Sequence, residues 1–232
     1  MAEPLLKISG LEAWYGESHI LHGMDFEVPK GEVVTLLGRN GVGKTTTLRA
    51  IMGLTGRRAG SIQFEGKEII GLPPEKVARA GIAYCPEERG IFASLTVAEN
   101  LVLPPMVRPG GLSLDELKEL FPRLWERAGS QGTKLSGGEQ QMLAIARILR
   151  TGAPLLLLDE PTEGLAPVIV QHIGRILHQL KERGFTILLV EQNFHFAAGV
   201  ADRHYVVEHG RVIDCVPNAG TDLARLKSQL GV

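Results

Sequence analysis

A glycine-rich segment, GRNGVGKT, occupies residues 38–45 and carries the spacing G-x-x-x-x-G-K-T between an apolar run and a helical pattern. Glycines let backbone N–H groups surround phosphate oxygens, and the N-terminus of the helix adds partial positive charge. The spacing directs Lys44 to the β- and γ-phosphates and the Thr45 hydroxyl to Mg²⁺. A glycine-rich turn with an exposed lysine is the alternative, but it explains neither flanking element. We predict a nucleoside triphosphate site at Gly38, Arg39, Asn40, Gly41, Val42, Gly43, Lys44, Thr45 and Thr46.

Two adjacent carboxylates, Asp159 and Glu160, follow the apolar run LLLL at residues 155–158. A nearly continuous apolar run is typical of a strand buried on both faces of a parallel sheet, and ligands bind beyond the carboxyl ends of such strands. We expect Asp159 to hold Mg²⁺ and Glu160 to accept a proton from the attacking water. A helix-capping aspartate followed by a surface glutamate is the alternative, and it is the weaker interpretation beside a phosphate-binding loop.

The segment LSGGEQQ, residues 135–141, begins another helix. Ser136 and Glu139 match a capping box, in which each side chain binds the backbone N–H of the other residue. A capping box does not account for Gly137 and Gly138, because each glycine costs about 1 kcal/mol in helix propensity. A serine hydroxyl and uncovered glycine N–H groups at a helix N-terminus can also form a second phosphate-sized site.

A second apolar run, TILLV at residues 186–190, stops abruptly in polar residues. Glu191 and Gln192 follow it directly, and His195 lies three residues after Gln192. Because ligand sites form where buried strands end, each of these three side chains is a candidate for contact with the reacting groups. Their order along the chain does not by itself choose among them.

The elements that must position these residues can be read from the same patterns. Short strand-like runs (LLKIS, HILHGMDFEV and VVTLL) dominate the first part of the chain, and the helical pattern VIVQHIGRILHQLKER separates the two later apolar runs. Capping boxes at Thr96–Glu99, Ser113–Glu116 and Ser136–Glu139 predict helix starts within residues 96–150. We predict a single α/β domain over residues 1–232, with its core at 1–87 and 152–232 and a helical subdomain at approximately 88–151.

Composition narrows the class of protein. A length of 232 residues suits one large domain, and a net charge of −1 argues against a nucleic-acid partner. No apolar stretch reaches the ~18–20 residues that span a bilayer, and the segment MAEPLLKIS lacks the regions of a signal peptide. Cys85 and Cys215 show no pairing pattern, so we expect both to be reduced and buried. These features predict a cytoplasmic protein.

LSGGEQQ between the phosphate-binding loop and LLLLDEP resembles the signature of ATP-binding-cassette (ABC) ATPases, and the resemblance covers essentially the whole chain. It implies a P-loop NTPase cassette with a mainly parallel core sheet, an antiparallel β part near the N-terminus and an inserted helical subdomain. In that family two cassettes close head to tail around ATP. Ser136 and Gly138 would then contact the γ-phosphate of the partner's nucleotide. Tyr15 matches the aromatic that stacks on adenine, although it could also be a half-buried strand aromatic.

Three positions depart from the common family pattern. Glu87 stands where most cassettes have a glutamine that contacts Mg²⁺ or water, and a surface acidic loop is its alternative interpretation. Ala166 replaces a usual aspartate, and Gln192 replaces the histidine that senses the γ-phosphate. An amide can hydrogen-bond phosphate and water but cannot carry the charge of an imidazolium. The resemblance implies that Gln192 orients the water and Glu160 accepts its proton. Glu191 is then a structural residue or one that supports the reacting groups without touching the nucleotide, and His195 is a surface or packing residue.

PEER, EGLAP, VEQN and the terminal LGV together resemble the ATPases of branched-chain amino-acid importers. The resemblance implies ATP and Mg²⁺ as cofactors, and as partners a second cassette (in a homo- or heterodimer), two membrane permeases and a periplasmic solute-binding protein. The chain would be peripheral on the inner face of the cell membrane. Residues 87–95 and the helical insertion would dock a permease, with Phe92 and Leu95 as apolar anchors.

Other functions remain open at this point. Closely similar cassettes serve urea and short-amide uptake. A non-transport ABC ATPase acting on DNA or ribosomes is disfavoured by the near-neutral charge, by the single cassette and by the short interval between the phosphate-binding loop and LSGGEQQ. The helix that begins at LSGGEQQ argues against a P-loop kinase or GTPase.

Overall fold

The structure, a computed structural model, describes residues 3–218, and the LGV segment at 230–232 lies outside them. The described strands are β1 (Leu6–Tyr15), β2 (Ser18–Val28), β3 (Val33–Leu37), β4 (Arg57–Phe64), β5 (Lys67–Glu68), β6 (Ile82–Cys85), β7 (Leu155–Asp159), β8 (Thr186–Glu191), β9 (Arg203–Glu208) and β10 (Arg211–Pro217). The described α-helices are α1 (Lys44–Ile51), α2 (Pro74–Ala80), α3 (Val97–Val102), α4 (Leu114–Leu120), α5 (Pro122–Glu126), α6 (Gly137–Leu149), α7 (Pro167–Glu182) and α8 (Phe194–Val200).

The centre of the fold is a six-stranded sheet with the order β10-β9-β3-β8-β7-β6. Its strands pair in parallel except β10, which runs antiparallel to β9 at the edge. Every residue of β3, β7 and β8 is buried, as their continuous apolar sequences predict. The mainly parallel α/β core is therefore confirmed.

Both faces of this sheet are covered by apolar side chains. Alternate residues of β7 divide between two hydrophobic clusters: Leu156 and Leu158 lie in one, and Leu155 and Leu157 lie in the other. The first cluster includes buried residues of α6 and α7, and the second includes residues of α1 and of the N-terminal strands. The carboxyl ends of β3, β7 and β8 are fixed between these layers, which gives the residues that follow them a rigid support.

A second sheet of four antiparallel strands has the order β2-β1-β4-β5. The predicted antiparallel part near the N-terminus is thus confirmed. Its inward side chains, among them Leu11, Leu21 and Phe64, belong to the second hydrophobic cluster. Tyr15 lies at the end of β1, where the strand turns back into β2.

The helices α3 to α6 lie between β6 and β7 in the chain. The three predicted capping boxes are all present, at the N-termini of α3, α4 and α6, so these helix starts are confirmed. Leu101, Phe121 and Leu124 are buried and join the same cluster as Leu156. The proposed boundaries of the helical subdomain, at residues 88 and 151, remain a prediction.

Cys85 is buried, and burial raises the pKa of its thiol to about 12. The prediction that Cys215 is also buried is wrong, because Cys215 is exposed. It lies on the edge strand β10, whose alternate residues face outward, and so its apolar neighbours in sequence do not enclose it. Within residues 3–218, no helix combines the length and the apolar character that spanning a bilayer requires.

Candidate nucleotide-binding and active site

The glycine-rich loop joins β3 to α1, and its backbone leaves no room for side chains at two positions. A Cβ atom at Gly38 would lie 2.5 Å from the carbonyl oxygen of Val207 on the neighbouring strand β9. Gly43 has a φ angle of 108°, in the region that favours glycine, and it is the N-cap of α1. A glycine N-cap has no side chain to cover the first N–H groups of the helix, so these donors can bind an anion.

Lys44 is the first residue of α1, and its side chain is only 3% exposed. Its Nζ donates to the carbonyl oxygens of Gly38 and Arg39 at 2.8 and 3.0 Å. The same atom lies 3.3 Å from Glu160 Oε1, which forms an ion pair. The loop therefore holds the ammonium group by its own backbone, directed at the end of the strand that carries the acid pair.

Asp159 is the last residue of β7 and is fully buried. Its Oδ1 accepts a hydrogen bond from the Thr45 hydroxyl at 3.0 Å, and its Oδ2 accepts one from the Tyr84 hydroxyl at 2.9 Å. Burial raises the pKa of this carboxyl, the two hydrogen bonds oppose the rise, and the charges of Glu160 and Glu87 add to it. A cation bound here would remove the electrostatic cost of the ionised form.

Sequence reasoning missed Tyr84. It lies on β6, which pairs with β7, and its hydroxyl reaches Asp159 across that strand pair. Burial, and then the neighbouring Asp159 carboxylate, raise the pKa of Tyr84, so the hydroxyl stays protonated and donates. The only sequence signal was a tyrosine near the end of the strand that leads to Glu87.

Glu160 has a φ angle of 43°, which a non-glycine residue adopts only where its surroundings enforce it. Its N–H donates to the carbonyl oxygen of Val190 on β8 at 2.9 Å. Its side chain accepts a hydrogen bond from Gln192 Nε2 at 2.6 Å, in addition to the ion pair with Lys44. Strained backbone of this kind is concentrated at functional sites, and here it aims a carboxylate at the phosphate-binding loop.

The three residues after the apolar run of β8 have different surroundings. Gln192 contacts Glu160 directly. Glu191 is 2% exposed and accepts hydrogen bonds from Thr162 and Asn193. His195 lies on the exposed side of α8, with its ring edge-on to that of Phe194 at a centroid distance of 5.7 Å. The structure therefore brings Gln192 into contact with Glu160, whereas His195 faces outward from α8.

A pocket of about 280 Å³ lies over the loop and Glu160. Its lining comprises Asn40, Gly41, Gly43, Lys44, Thr45, Thr46, Glu87, Glu160 and Glu163. Burial, and then the charges of Glu160 and Glu87, raise the pKa of Glu163. Within the described residues no group of three or more His, Cys, Asp or Glu side chains could by itself hold a metal ion. A cation here would therefore depend on oxygen atoms from a bound phosphate as well as from the protein.

The residues at the N-terminus of α6 stand apart from this pocket. Ser136 is exposed, its Oγ accepts a hydrogen bond from Glu139 N–H at 3.3 Å, and its own N–H donates to Glu139 Oε2 at 2.7 Å. Gly138 is buried, and a Cβ atom there would lie 3.0 Å from Ile169 Cγ1 on α7. Close packing against Ile169 is thus one reason for a glycine at 138, in addition to any ligand.

Tyr15 is 41% exposed and is not among the residues that line the phosphate pocket. The Tyr84 hydroxyl and then the Tyr15 hydroxyl raise the pKa of the Arg49 guanidinium on α1. Arg49 also donates to Glu88 at 3.0 Å. Sequence reasoning did not single out Arg49, which links the strand that carries Tyr15 to the segment after β6.

A glycine-rich loop between a buried parallel strand and a helix, facing a strand that ends in an acid pair, defines a P-loop nucleoside-triphosphate-binding protein. Comparison with known proteins identifies the family within this class. The sequence profile of the family described as "ABC transporter" matches residues 21–163. The chain belongs to this family and is one of its ATP-binding domains, the class that hydrolyses ATP.

Two relatives and one solved structure show how far the similarity extends. The chain is 46% identical over 212 residues to the high-affinity branched-chain amino acid transport ATP-binding protein BraG of Pseudomonas aeruginosa, covering 90% of this chain and 91% of that protein. It is 38% identical to the probable branched-chain amino acid transport ATP-binding protein LivF of Archaeoglobus fulgidus, covering 90% of each. A solved ATP-binding subunit of an ABC transporter superposes with a TM-score of 0.79 at 32% identity, covering 98% of this chain and 95% of that one.

Proposed function

We propose that this chain hydrolyses ATP to drive the import of the branched-chain amino acids leucine, isoleucine and valine. The observation that carries the proposal is the 46% identity, over nine-tenths of both chains, to a protein named for branched-chain amino acid transport. The second relative, named for the same transport, supports it at 38% identity. The residues that depart from the common cassette pattern, Glu87, Ala166 and Gln192, point to the same subgroup.

In this proposal the triphosphate lies on the N-terminus of α1. The N–H groups of the loop and of the first helical turn bind phosphate oxygens, and Lys44 turns its ammonium group toward the β- and γ-phosphates. Lys44 is already held within the loop by two carbonyl oxygens, so little side-chain freedom is lost on binding. Thr46 contributes a hydroxyl, and Tyr15 provides an aromatic face for adenine.

The residues present fit a magnesium ion bound together with the nucleotide. Thr45 and Asp159 already contact each other at 3.0 Å, and Glu87 lines the same pocket. Mg²⁺ is usually held by one or two carboxylates together with substrate phosphates, and not by an all-protein cage. When bound, the ion would neutralise charge on the phosphates and on the buried Asp159 carboxylate.

Glu160 and Gln192 supply the proposed chemistry of the chain itself. The Glu160 carboxylate accepts a proton from the attacking water, a function that contributes about 10²–10⁴ in rate when the base is positioned. Gln192 orients that water, because its amide can accept a hydrogen bond from the water as well as donate to the carboxylate. Their 2.6 Å contact supports a shared role.

The second phosphate site at α6 is proposed to serve a neighbouring cassette. Ser136 is exposed although its N–H and Oγ are engaged in the capping box, so its hydroxyl hydrogen can still be donated to a ligand. Ser136, Gly137, Gly138 and Glu139 lie outside the pocket over the phosphate-binding loop of the same chain. A head-to-tail pair of cassettes, homo- or heterodimeric, would bring them to the partner's nucleotide.

Import also requires subunits that cross the membrane. We propose that two permeases bind this chain at the inner face of the cell membrane and that a periplasmic solute-binding protein delivers the amino acid to them. Phe92, 46% exposed, lies in the proposed docking segment 87–95. A groove of about 390 Å³ beside it contains apolar side chains from both the core and the insertion, including Met52, Pro104 and Ile148.

Uptake in a strain that lacks this gene tests the transported solute. Labelled leucine uptake is expected to fall and to return on expression of the wild-type chain, but not on expression of Glu160→Gln. Labelled urea serves as the comparison. Loss of urea uptake with normal leucine uptake would instead support the urea and short-amide alternative and would contradict the proposal.

A further inference from the structure

Glu191 is a buried acidic residue that the proposed mechanism does not use. It ends β8, and its side chain is 2% exposed. Its Oε1 accepts hydrogen bonds from the Thr162 hydroxyl at 2.7 Å and from the Thr162 N–H at 3.3 Å. Its Oε2 accepts a hydrogen bond from Asn193 N–H at 3.3 Å. One carboxylate therefore joins the loop after β7 to the turn after β8.

The residues that Glu191 joins flank the two proposed catalytic residues. Thr162 lies two positions after Glu160, and Asn193 directly follows Gln192. The Glu160 carboxylate and the Gln192 amide are in turn in contact at 2.6 Å. These contacts close a small ring, in which one side is the Glu160–Gln192 contact and the opposite side is the Glu191–Thr162 contact.

The backbone at Glu160 shows that this ring is under constraint. Glu160 is held at a φ angle of 43°, which its neighbours must enforce. Burial raises the pKa of Glu191 to about 7, and the Thr162 and Asn193 hydrogen bonds oppose the rise. A buried carboxylate is costly, but it offers only acceptors and can take three donors at once. A glutamine would present an N–H group to one of these donors.

We propose that Glu191 is a positioning residue for ATP hydrolysis, which holds Glu160 and Gln192 in register by binding Thr162 and Asn193. It does not touch the nucleotide; it acts through the backbone of the two loops. The inference rests on the proposed function of Glu160 and Gln192, and it adds a third residue on which their geometry depends. A displacement of about 1 Å in a catalytic group can cost about 10²-fold in rate.

Kinetics of the full-length chain test this assignment. We expect Glu191→Ala to lower kcat about 10²-fold, since the restraint on both groups is lost. The Kd for ATP, measured by equilibrium binding, and the KM should each stay within about 3-fold, because the phosphate-binding loop is intact. Thr162→Val, which removes only the shorter hydrogen bond, should lower kcat by about 10-fold, and Thr162→Ser should restore it. Glu182→Gln, on the exposed end of α7, is the control.

The outcomes separate this inference from the proposed function. A kcat within about 2-fold of wild type in Glu191→Ala and Thr162→Val, with Glu160→Gln inactive, overturns the role of Glu191 alone. Retained turnover in Glu160→Gln overturns both. If Glu191→Ala does not fold, the kcat of Thr162→Val alone tests the role of Glu191. A lower melting temperature with unchanged kcat in Thr162→Val would show a role in stability only, and so would also contradict the inference.

Discussion

At the scale of single residues, the end of β8 shows how three neighbouring polar side chains acquire different tasks. Gln192 reaches the Glu160 carboxylate at 2.6 Å, while Glu191 turns into the protein and binds Thr162. His195 is exposed on α8 beside the Phe194 ring. Because the Gln192 amide contacts the Glu160 carboxylate directly, we assign the orienting role to the amide and not to the imidazole.

Gln192→Ala is therefore expected to lower kcat by at least about 10-fold, since it removes a group that positions the base and the water. His195→Ala should stay within about 2-fold of wild type. Steady-state ATP turnover of both variants at saturating ATP gives the comparison. A larger loss of kcat in His195→Ala than in Gln192→Ala would show that His195, and not Gln192, orients the attacking water.

At the scale of elements, the N-terminus of α6 is packed against the N-terminal part of α7. A Cβ atom at position 138 would lie 3.0, 3.1 and 3.3 Å from three atoms of the Ile169 side chain. At position 137 it would instead meet the end of the Arg89 side chain at 3.3 Å, and this flexible group can move. The contact between Gly138 and Ile169 fixes the insertion against the helix that follows the acid pair.

Two effects of opposite sign decide what alanine does at position 138. Helix propensity favours alanine over glycine by about 1 kcal/mol, whereas overpacking costs about 1–3 kcal/mol. In the wild-type background, Gly138→Ala should therefore lower the free energy of unfolding by about 1 kcal/mol. In a background that already carries Ile169→Ala, the same substitution should raise the free energy of unfolding, because the overpacking is removed and the gain in helix propensity remains. Denaturant unfolding of the double-mutant cycle measures this, with Gly137→Ala as the control. Equal effects of Gly138→Ala in both backgrounds would mean that packing does not explain this glycine.

At the scale of the whole molecule, the insertion and the core together form the groove proposed for a permease. Arg147 lines this groove, and its guanidinium lies 4.8 Å from the centroid of the Phe92 ring. Phe92 itself is 46% exposed. Leu103 and Met106 are further exposed apolar residues in the insertion, 49% and 61% exposed. Exposed apolar side chains grouped around a groove are typical of a protein-binding surface.

Phe92→Ala is expected to reduce co-purification of the permeases by about 10-fold or more, as loss of a central aromatic anchor does. ATP affinity should not change, because Phe92 is not among the residues that line the phosphate pocket. Ile213→Ala is a matched control, since Ile213 is 49% exposed on the edge strand β10. Normal permease binding by Phe92→Ala, or equal losses in both variants, would contradict the proposed surface.

Features that depend on local backbone demands can be predicted from the amino-acid sequence alone. The loop at 38–45 needs glycines where a side chain would clash or φ is positive, the capping boxes begin helices at fixed spacing, and β7 and β8 are apolar throughout because both faces are buried. Each of these causes acts over a few residues, and each leaves a pattern that can be read without the fold.

Contacts between residues that are distant in the chain depend on the three-dimensional fold. The Tyr84 hydroxyl reaches Asp159 across 75 positions, Thr162 reaches Glu191 across 29, and Gly138 packs on Ile169. Such contacts follow from the order of strands in the sheet and from how the insertion lies on α7, and no local spacing encodes them. The same reason explains Cys215, whose exposure depends on β10 being the edge strand.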